Sequence, residues 1–185
     1  MTDIAALMCL SPVIPVLVVE DPRRAQLLAR ALIAKGHPLI EVTLRTSAAL
    51  EVIAEMSKVE GAIVGAGTVT GVRDLEASLI AGAKFIVSPG LTDSVGRAAI
   101  EAHVPFLPGV ATASDIMRGL DLGLDHFKFF PAVAAGGIPA LKALAAPFHQ
   151  CRFCPTGGIT EQTAPDWLAL DAVLCVGGSW IAAGL

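Results

Sequence analysis

Eight short apolar runs recur along this chain at nearly constant spacing, and that rhythm constrains the fold more than any other feature. They occupy residues 13–19, 39–43, 62–65, 85–88, 105–108, 126–130, 152–155 and 173–177, with centres 21 to 25 residues apart. Such an interval holds one strand, one short helix and two loops. Nothing hairpin-like separates the runs. The intervals carry helix signals instead. Asp21-Pro22 precedes residues 23–35, which Gly36 closes. Thr92 precedes 93–102, Thr112 precedes 113–121 with Leu122-Gly123 after it, and Thr160 precedes 161–168. Strands that are apolar on both faces and alternate with helices imply a parallel sheet covered by helices. Eight regular units predict a closed (β/α)₈ TIM barrel, with an open doubly wound sheet as the alternative. The whole chain, 1–185, is expected to be one compact barrel domain, preceded by a short helix at about residues 2–10.

Composition excludes several classes. Hydrophobic residues make up 54% and charged residues only 16%, against roughly 25% charged in ordinary domains, so the chain is either membrane-embedded or built around a deeply buried sheet. The longest uncharged stretch, residues 4–19, contains Ser11, Pro12 and Pro15 and falls short of the roughly 20 apolar residues of a spanning helix. A net charge of −4 without a Lys/Arg cluster argues against a nucleic-acid partner. The first ten residues lack a basic segment and carry Asp3, which does not fit a secretory signal, so a cytoplasmic location is expected. Four scattered cysteines do not make a disulfide framework. Cys151 and Cys154 have redox-motif spacing but lie within a strand, where positions i and i+3 face opposite ways, so both are expected to be packing thiols. His37, His103, His126 and His149 show no metal-ligand spacing, and neither a metal nor a cofactor is expected.

In a barrel the chemistry sits at the C-terminal ends of the strands. Period-two alternation on the second strand puts Leu39, Glu41, Thr43 and, if the strand extends, Arg45 on one face. Glu41 and Arg45 are then either a structural ion pair at the strand end or charges kept in the interior for use, because burying a charge is costly unless it is paired or employed. The sixth strand repeats the anomaly: Lys128 faces opposite to Phe127 and Phe129, so it points into the barrel if those rings pack under helices. A lysine that merely snorkels at a strand end is the alternative. Desolvation and a neighbouring guanidinium would both favour the neutral amine, the form that Schiff-base chemistry needs. Glycine-rich turns follow three strands, at Gly65-Ala66-Gly67-Thr68, Thr156-Gly157-Gly158 and Gly177-Gly178-Ser179. The last two follow strands seven and eight, where many barrels cradle a phosphate on backbone N–H groups, so a phosphorylated substrate is expected.

Six ordered blocks carry a family resemblance. They are Glu41-Val42-Thr43-Leu44-Arg45, Gly65-Ala66-Gly67-Thr68-Val69, Val87-Ser88-Pro89-Gly90, Phe127-Lys128-Phe129-Phe130-Pro131, Phe153-Cys154-Pro155-Thr156-Gly157-Gly158 and Gly177-Gly178-Ser179-Trp180. Across nearly all its strands the chain resembles the 2-keto-3-deoxy-6-phosphogluconate (KDPG) aldolase and 4-hydroxy-2-oxoglutarate (KHG) aldolase family of class I lyases. The resemblance implies that Lys128 is the Schiff-base lysine and Glu41 the general acid/base. It implies that Arg45 and Thr68 hold the keto-acid carboxylate. Thr156, Gly157, Gly158, Gly178 and Ser179 would hold the phosphate, with Pro89 and Phe130 in the same pocket. It further implies a phosphorylated keto acid and pyruvate as small-molecule partners, and a homotrimer. Two departures stand out: Val133 occupies a position where many members are acidic, and the sequence stops at Leu185, where the family continues into a final helix, so one apolar flank is expected to be uncovered unless an oligomer or a further tail covers it. A catalytically silent phosphate-binding barrel or assembly scaffold, and a non-covalent sugar-phosphate isomerase or epimerase, are the rival readings.

Overall fold

A computed structural model describes residues 3–185. The chain forms a (β/α)₈ barrel. Its strands are β1 (Val13–Leu17), β2 (Leu39–Thr43), β3 (Ile63–Gly67), β4 (Phe85–Val87), β5 (Phe106–Leu107), β6 (Gly109–Val110), β7 (His126–Phe129), β8 (Arg152–Pro155) and β9 (Val176–Gly178). All pairings are parallel, in the order β5-β4-β3-β2-β1-β9 and β6-β7-β8. Bridges from Phe153 to Val173 and from Thr156 to Gly177 join β8 to β9.

The helices are α1 (Ile4–Met8), α2 (Ala25–Ala34), α3 (Ala49–Met56), α4 (Val72–Ile80), α5 (Asp93–Glu101), α6 (Ala113–Asp121), α7 (Gly137–Ala145) and α8 (Ala164–Leu168). None among the described residues is long and apolar enough to cross a membrane. Each helix buries one stripe. In α2 this is Ala25, Leu28, Ala29 and Leu32, and in α3 Ala49, Val52, Ile53 and Met56, the spacing of a single helical face.

Alternation along the strands sorts side chains into two layers. Outward residues such as Ile40, Val42, Val64 and Ile86 pack under α2 to α5, and Phe127, Phe129 and Phe153 pack under the helices of the other half. Inward residues Ile14, Leu39, Phe85, Leu107, Cys154 and Cys175 fill the lower interior, which Leu7 and Met8 of α1 plug from beneath. The floor is therefore apolar, and polar inward residues are left at the opposite, C-terminal mouth.

The structure corrects several expected boundaries. The fifth run is two pieces because Pro108 has no N–H to give: β5 pairs with β4, and past the proline β6 pairs with β7. The eighth run is displaced toward β9, since residues near Val173 bond to β8 and only Val176 onward bonds to β1. The helix expected from residue 23 opens as a 3₁₀ turn, Pro22–Arg24, capped by the Asp21 carboxylate, and turns α-helical at Ala25. The helix expected from residue 161 begins at Ala164, because Thr160 and Thr163 bond to each other's backbone N–H and form a separate turn.

After β9 the chain makes a 3₁₀ turn, Trp180–Ala182. The flank expected to be bare is partly filled: Ile181, Ala182 and Leu185 pack against the α2 side, and the Arg24 guanidinium donates to the Leu185 carbonyl at 2.6 Å.

Candidate active site

At the C-terminal mouth a cavity of about 300 Å³ is lined by residues from β1, β2, β7 and the loops after β3, β4, β8 and β9. Glu41, Arg45, Thr68, Pro89, Lys128, Phe130, Thr156, Gly157, Gly158 and Ser179 all line it. Gly178 does not; it is buried, and its Cα side faces the Trp180 ring.

Lys128 projects inward because Phe127 and Phe129, its strand neighbours, are committed to the outer core. It is 5% exposed, and the Glu41 carboxylate that meets it is 3% exposed. The Lys128 ammonium donates to both oxygens of Glu41, at 3.0 and 3.4 Å, and lies 5.4 Å from the centroid of the Phe130 ring. A lysine so enclosed is not snorkelling. Glu41 is accommodated because position 67, on the neighbouring strand, is glycine: any Cβ there would overlap the carboxyl group.

The strand-end pairing of Glu41 with Arg45 does not form. The Glu41 carboxylate is taken by Lys128, and Arg45 lies beyond the last residue of β2. Arg45 instead donates from Nε to the Thr43 hydroxyl at 3.1 Å, and it has no carboxylate partner among the described residues. Thr68 follows β3 with φ +61, a left-handed conformation that a β-branched residue adopts at a cost of order 1–3 kcal/mol. The next amide, of Val69, is held by the Val87 carbonyl, so Thr68 stays at the rim. On β4's loop the Ser88 hydroxyl donates to the Gly90 carbonyl at 2.6 Å and fixes the turn that carries Pro89.

The loops after β7 and β8 are tied together. Ala132 N–H donates to the Thr156 carbonyl at 2.8 Å, and Val133 N–H to that of Gly157 at 3.1 Å. Gly157 and Gly158 have φ +104 and +79, which turns the loop toward the mouth. Val133 is half exposed, and its side chain lies against Gly158.

Beneath the site Cys154 and Cys175 face inward, and all four cysteines are free. The hydrogen bond with Cys154 together with burial holds the Cys175 thiol well above the usual cysteine range. Burial, then the charge of Asp125, pushes the Cys151 thiol up despite Arg152. Cys151 lies just before β8, not within it, and packs in the outer layer, while Cys154 on β8 packs in the inner one, so the two thiols face opposite ways as expected.

Val16, Thr43, Ile159 and Gly177 also line the cavity and were not among the expected site residues. Alternation from Glu41 marks the face that Thr43 occupies. Gly177 lies on β9, two residues past the inward Cys175, so alternation marks it as well, whereas Ile159 reaches the mouth through loop geometry, which carries no periodic signal.

Comparison with known proteins gives a consistent result. A family model described as KDPG and KHG aldolase matches residues 4–184. A 2-dehydro-3-deoxy-phosphogluconate aldolase of Zymomonas mobilis is 55% identical, over 98% of this chain and 87% of its own length. A crystal structure of the 2-keto-3-deoxy-6-phosphogluconate aldolase of Zymomonas mobilis superimposes with a TM-score of 0.95, covering 97% of this chain and 87% of the other at 55% identity. The KDPG aldolase of Legionella pneumophila, solved with pyruvate captured at low pH as a covalent carbinolamine intermediate, gives 0.93 at 45% identity, over 97% of this chain and 87% of that one. Matched by the family model over nearly its whole length and by relatives at 45–55% identity, the chain belongs to the KDPG and KHG aldolase family.

Proposed function

We propose that this protein is a class I aldolase that cleaves 2-keto-3-deoxy-6-phosphogluconate to pyruvate and glyceraldehyde 3-phosphate through a Schiff base on Lys128, and that it also cleaves 4-hydroxy-2-oxoglutarate to pyruvate and glyoxylate. The observation that carries this reading is the buried Lys128–Glu41 pair at the C-terminal mouth. A structural ion pair has no need of a cavity. This one opens onto a cavity whose rim offers a guanidinium and two glycine-rich loops.

Transfer of one proton from the Lys128 ammonium to Glu41 gives a neutral amine and a carboxylic acid already in hydrogen-bond contact. The amine attacks the C2 ketone, and Glu41 returns its proton to the carbinolamine hydroxyl as water leaves. The resulting iminium draws electrons from the C3–C4 bond. Glu41, now a carboxylate, takes the C4 hydroxyl proton directly or through one water, and the aldehyde departs. The enamine is reprotonated at C3, and water adds to release pyruvate and free lysine. Arg45 and Thr68 hold the carboxylate, Arg45 as a two-pronged donor. Thr156, Gly157, Gly158 and Ser179 hold the phosphate, and Pro89 and Phe130 wall the pocket, which Gly178 does not line.

The unit that carries this chemistry is read as one barrel domain that assembles as a homotrimer. The buried free thiols Cys151, Cys154 and Cys175 suit a reducing compartment, in keeping with a cytoplasmic location. The direct test is pyruvate release from 2-keto-3-deoxy-6-phosphogluconate, followed through lactate dehydrogenase. Wild type should turn over and Lys128→Ala should not. Cleavage retained by Lys128→Ala overturns the assignment, and binding of the phosphate ester without cleavage by wild type would favour a silent barrel.

A further inference from the structure

We infer that Thr43 is a positioning residue that presents Arg45 to the substrate carboxylate, an inference that rests on the aldolase reading above. Thr43 is 3% exposed yet lines the cavity. Its hydroxyl has one proton and two lone pairs. The proton is committed to the Leu17 carbonyl on β1, at 2.8 Å, so the hydroxyl cannot turn to donate to a bound ligand. A lone pair accepts from Nε of Arg45 at 3.1 Å. Thr43 therefore couples a rigid strand carbonyl to a guanidinium on the loop that follows β2.

Two consequences follow for recognition. A guanidinium can grip a carboxylate side-on, through Nε and one terminal nitrogen, or end-on, through both terminal nitrogens. Thr43 occupies Nε, so Arg45 is left with the end-on fork. The tether also removes rotamer freedom from an otherwise solvent-exposed side chain before substrate arrives. Freedom lost in advance does not have to be lost on binding, which is how preorganisation raises affinity. Thr43 thus acts on ligands that carry a carboxylate and is indifferent to the ketone itself.

That selectivity separates a positioning role from a merely structural tie between β1 and β2. Borohydride trapping is measured against concentration for pyruvate and for hydroxyacetone, a ketone without a carboxylate. Thr43→Val keeps the shape and removes the hydroxyl. It should raise the half-saturating pyruvate concentration about tenfold, the factor that one hydrogen bond is worth, and leave that of hydroxyacetone unchanged. Thr43→Ser should restore the wild-type value. Thr43→Ala removes the same hydroxyl with a smaller side chain and keeps Arg45, so it should show the same shift for pyruvate alone, and it stands in if Thr43→Val fails to fold. Equal shifts for both ketones, or Thr43→Ser behaving like Thr43→Val, overturn the inference. Absence of any pyruvate trapping in wild type would instead remove the aldolase reading beneath it.

Discussion

Replacing Gly67 by alanine should disable the enzyme without substituting any group that reacts. Gly67 lies on β3, in register with Thr43 of β2, and faces the interior. A methyl group there would sit 2.7 Å from both Cγ and Cδ of Glu41 and overlap its carboxyl oxygen. Non-bonded carbons settle at 3.5–4.0 Å, so Glu41 must retreat by about 1 Å. Its 3.0 Å bond to Lys128 then stretches beyond hydrogen-bond range. Misplacement of about 1 Å costs on the order of 100-fold in rate, or about 2.7 kcal/mol of transition-state stabilisation. The fold should suffer less: overpacking costs about 1–3 kcal/mol, against a gain of about 0.4–1 kcal/mol from the stiffer unfolded chain. Gly65→Ala is the control, since its methyl would meet the Phe85 ring and not Glu41. The assay is kcat/KM for pyruvate release, alongside a thermal melt. Gly67→Ala within twofold of wild type, or Gly65→Ala as inactive as Gly67→Ala at equal stability, would refute the claim that this glycine exists to seat the carboxylate.

Other outcomes follow from the same geometry. Glu41→Gln keeps the size but cannot shuttle protons, so kcat should fall about 10²–10⁴-fold while slow trapping with pyruvate still modifies Lys128; an unchanged kcat would remove Glu41 from the chemistry. Gly157→Ala, at φ +104, should strain the loop by about 1–2 kcal/mol and raise KM for the phosphorylated substrate while sparing pyruvate trapping; equal effects on both would argue that the loop does not hold phosphate. At the start of α6, burial pushes the Asp115 carboxyl up, but hydrogen bonds from the Ala111 amide and from the Thr112 hydroxyl and amide outweigh it and hold the group below its ordinary value of 3.8. A lowered folded-state value stabilises the protein above the unfolded value, and that stability is lost as pH falls through the folded one. Asp115→Asn should therefore cost about 1 kcal/mol near neutral pH, the usual worth of a cap, and progressively less below about pH 4. A difference in denaturant stability that is independent of pH would contradict this.

Much of the barrel is written in local pattern. Strand positions at residues 39–43 and 152–155 and the helix at 113–121 coincide with the structure because alternation, caps and glycine stops all agree there. Alternation also put Lys128 and Glu41 inside, since the aromatic neighbours of one and the aliphatic neighbours of the other could only pack outward. What alternation cannot give is which inward charges meet. Glu41 had a local candidate in Arg45, but its partner is 87 residues away across the closed barrel. Thr43 was legible as an inward residue, and its role was not, because that depends on a carbonyl of β1. The left-handed turn at Thr68 is likewise invisible to a propensity that would put glycine there. Pro108 shows a quieter failure: a missing N–H splits one strand between two neighbours, a matter of pairing and not of hydrophobicity.

The central claim is that one enclosed amine forms the covalent intermediate. The chain has five lysines, and Lys35, Lys58, Lys84 and Lys142 are all exposed. Reduction with borohydride in the presence of pyruvate, followed by peptide mass mapping, should add a single reduced pyruvate adduct to the peptide containing Lys128 and leave the other four lysines unmodified. A stoichiometric adduct on any of those four, or none on Lys128, would contradict the account.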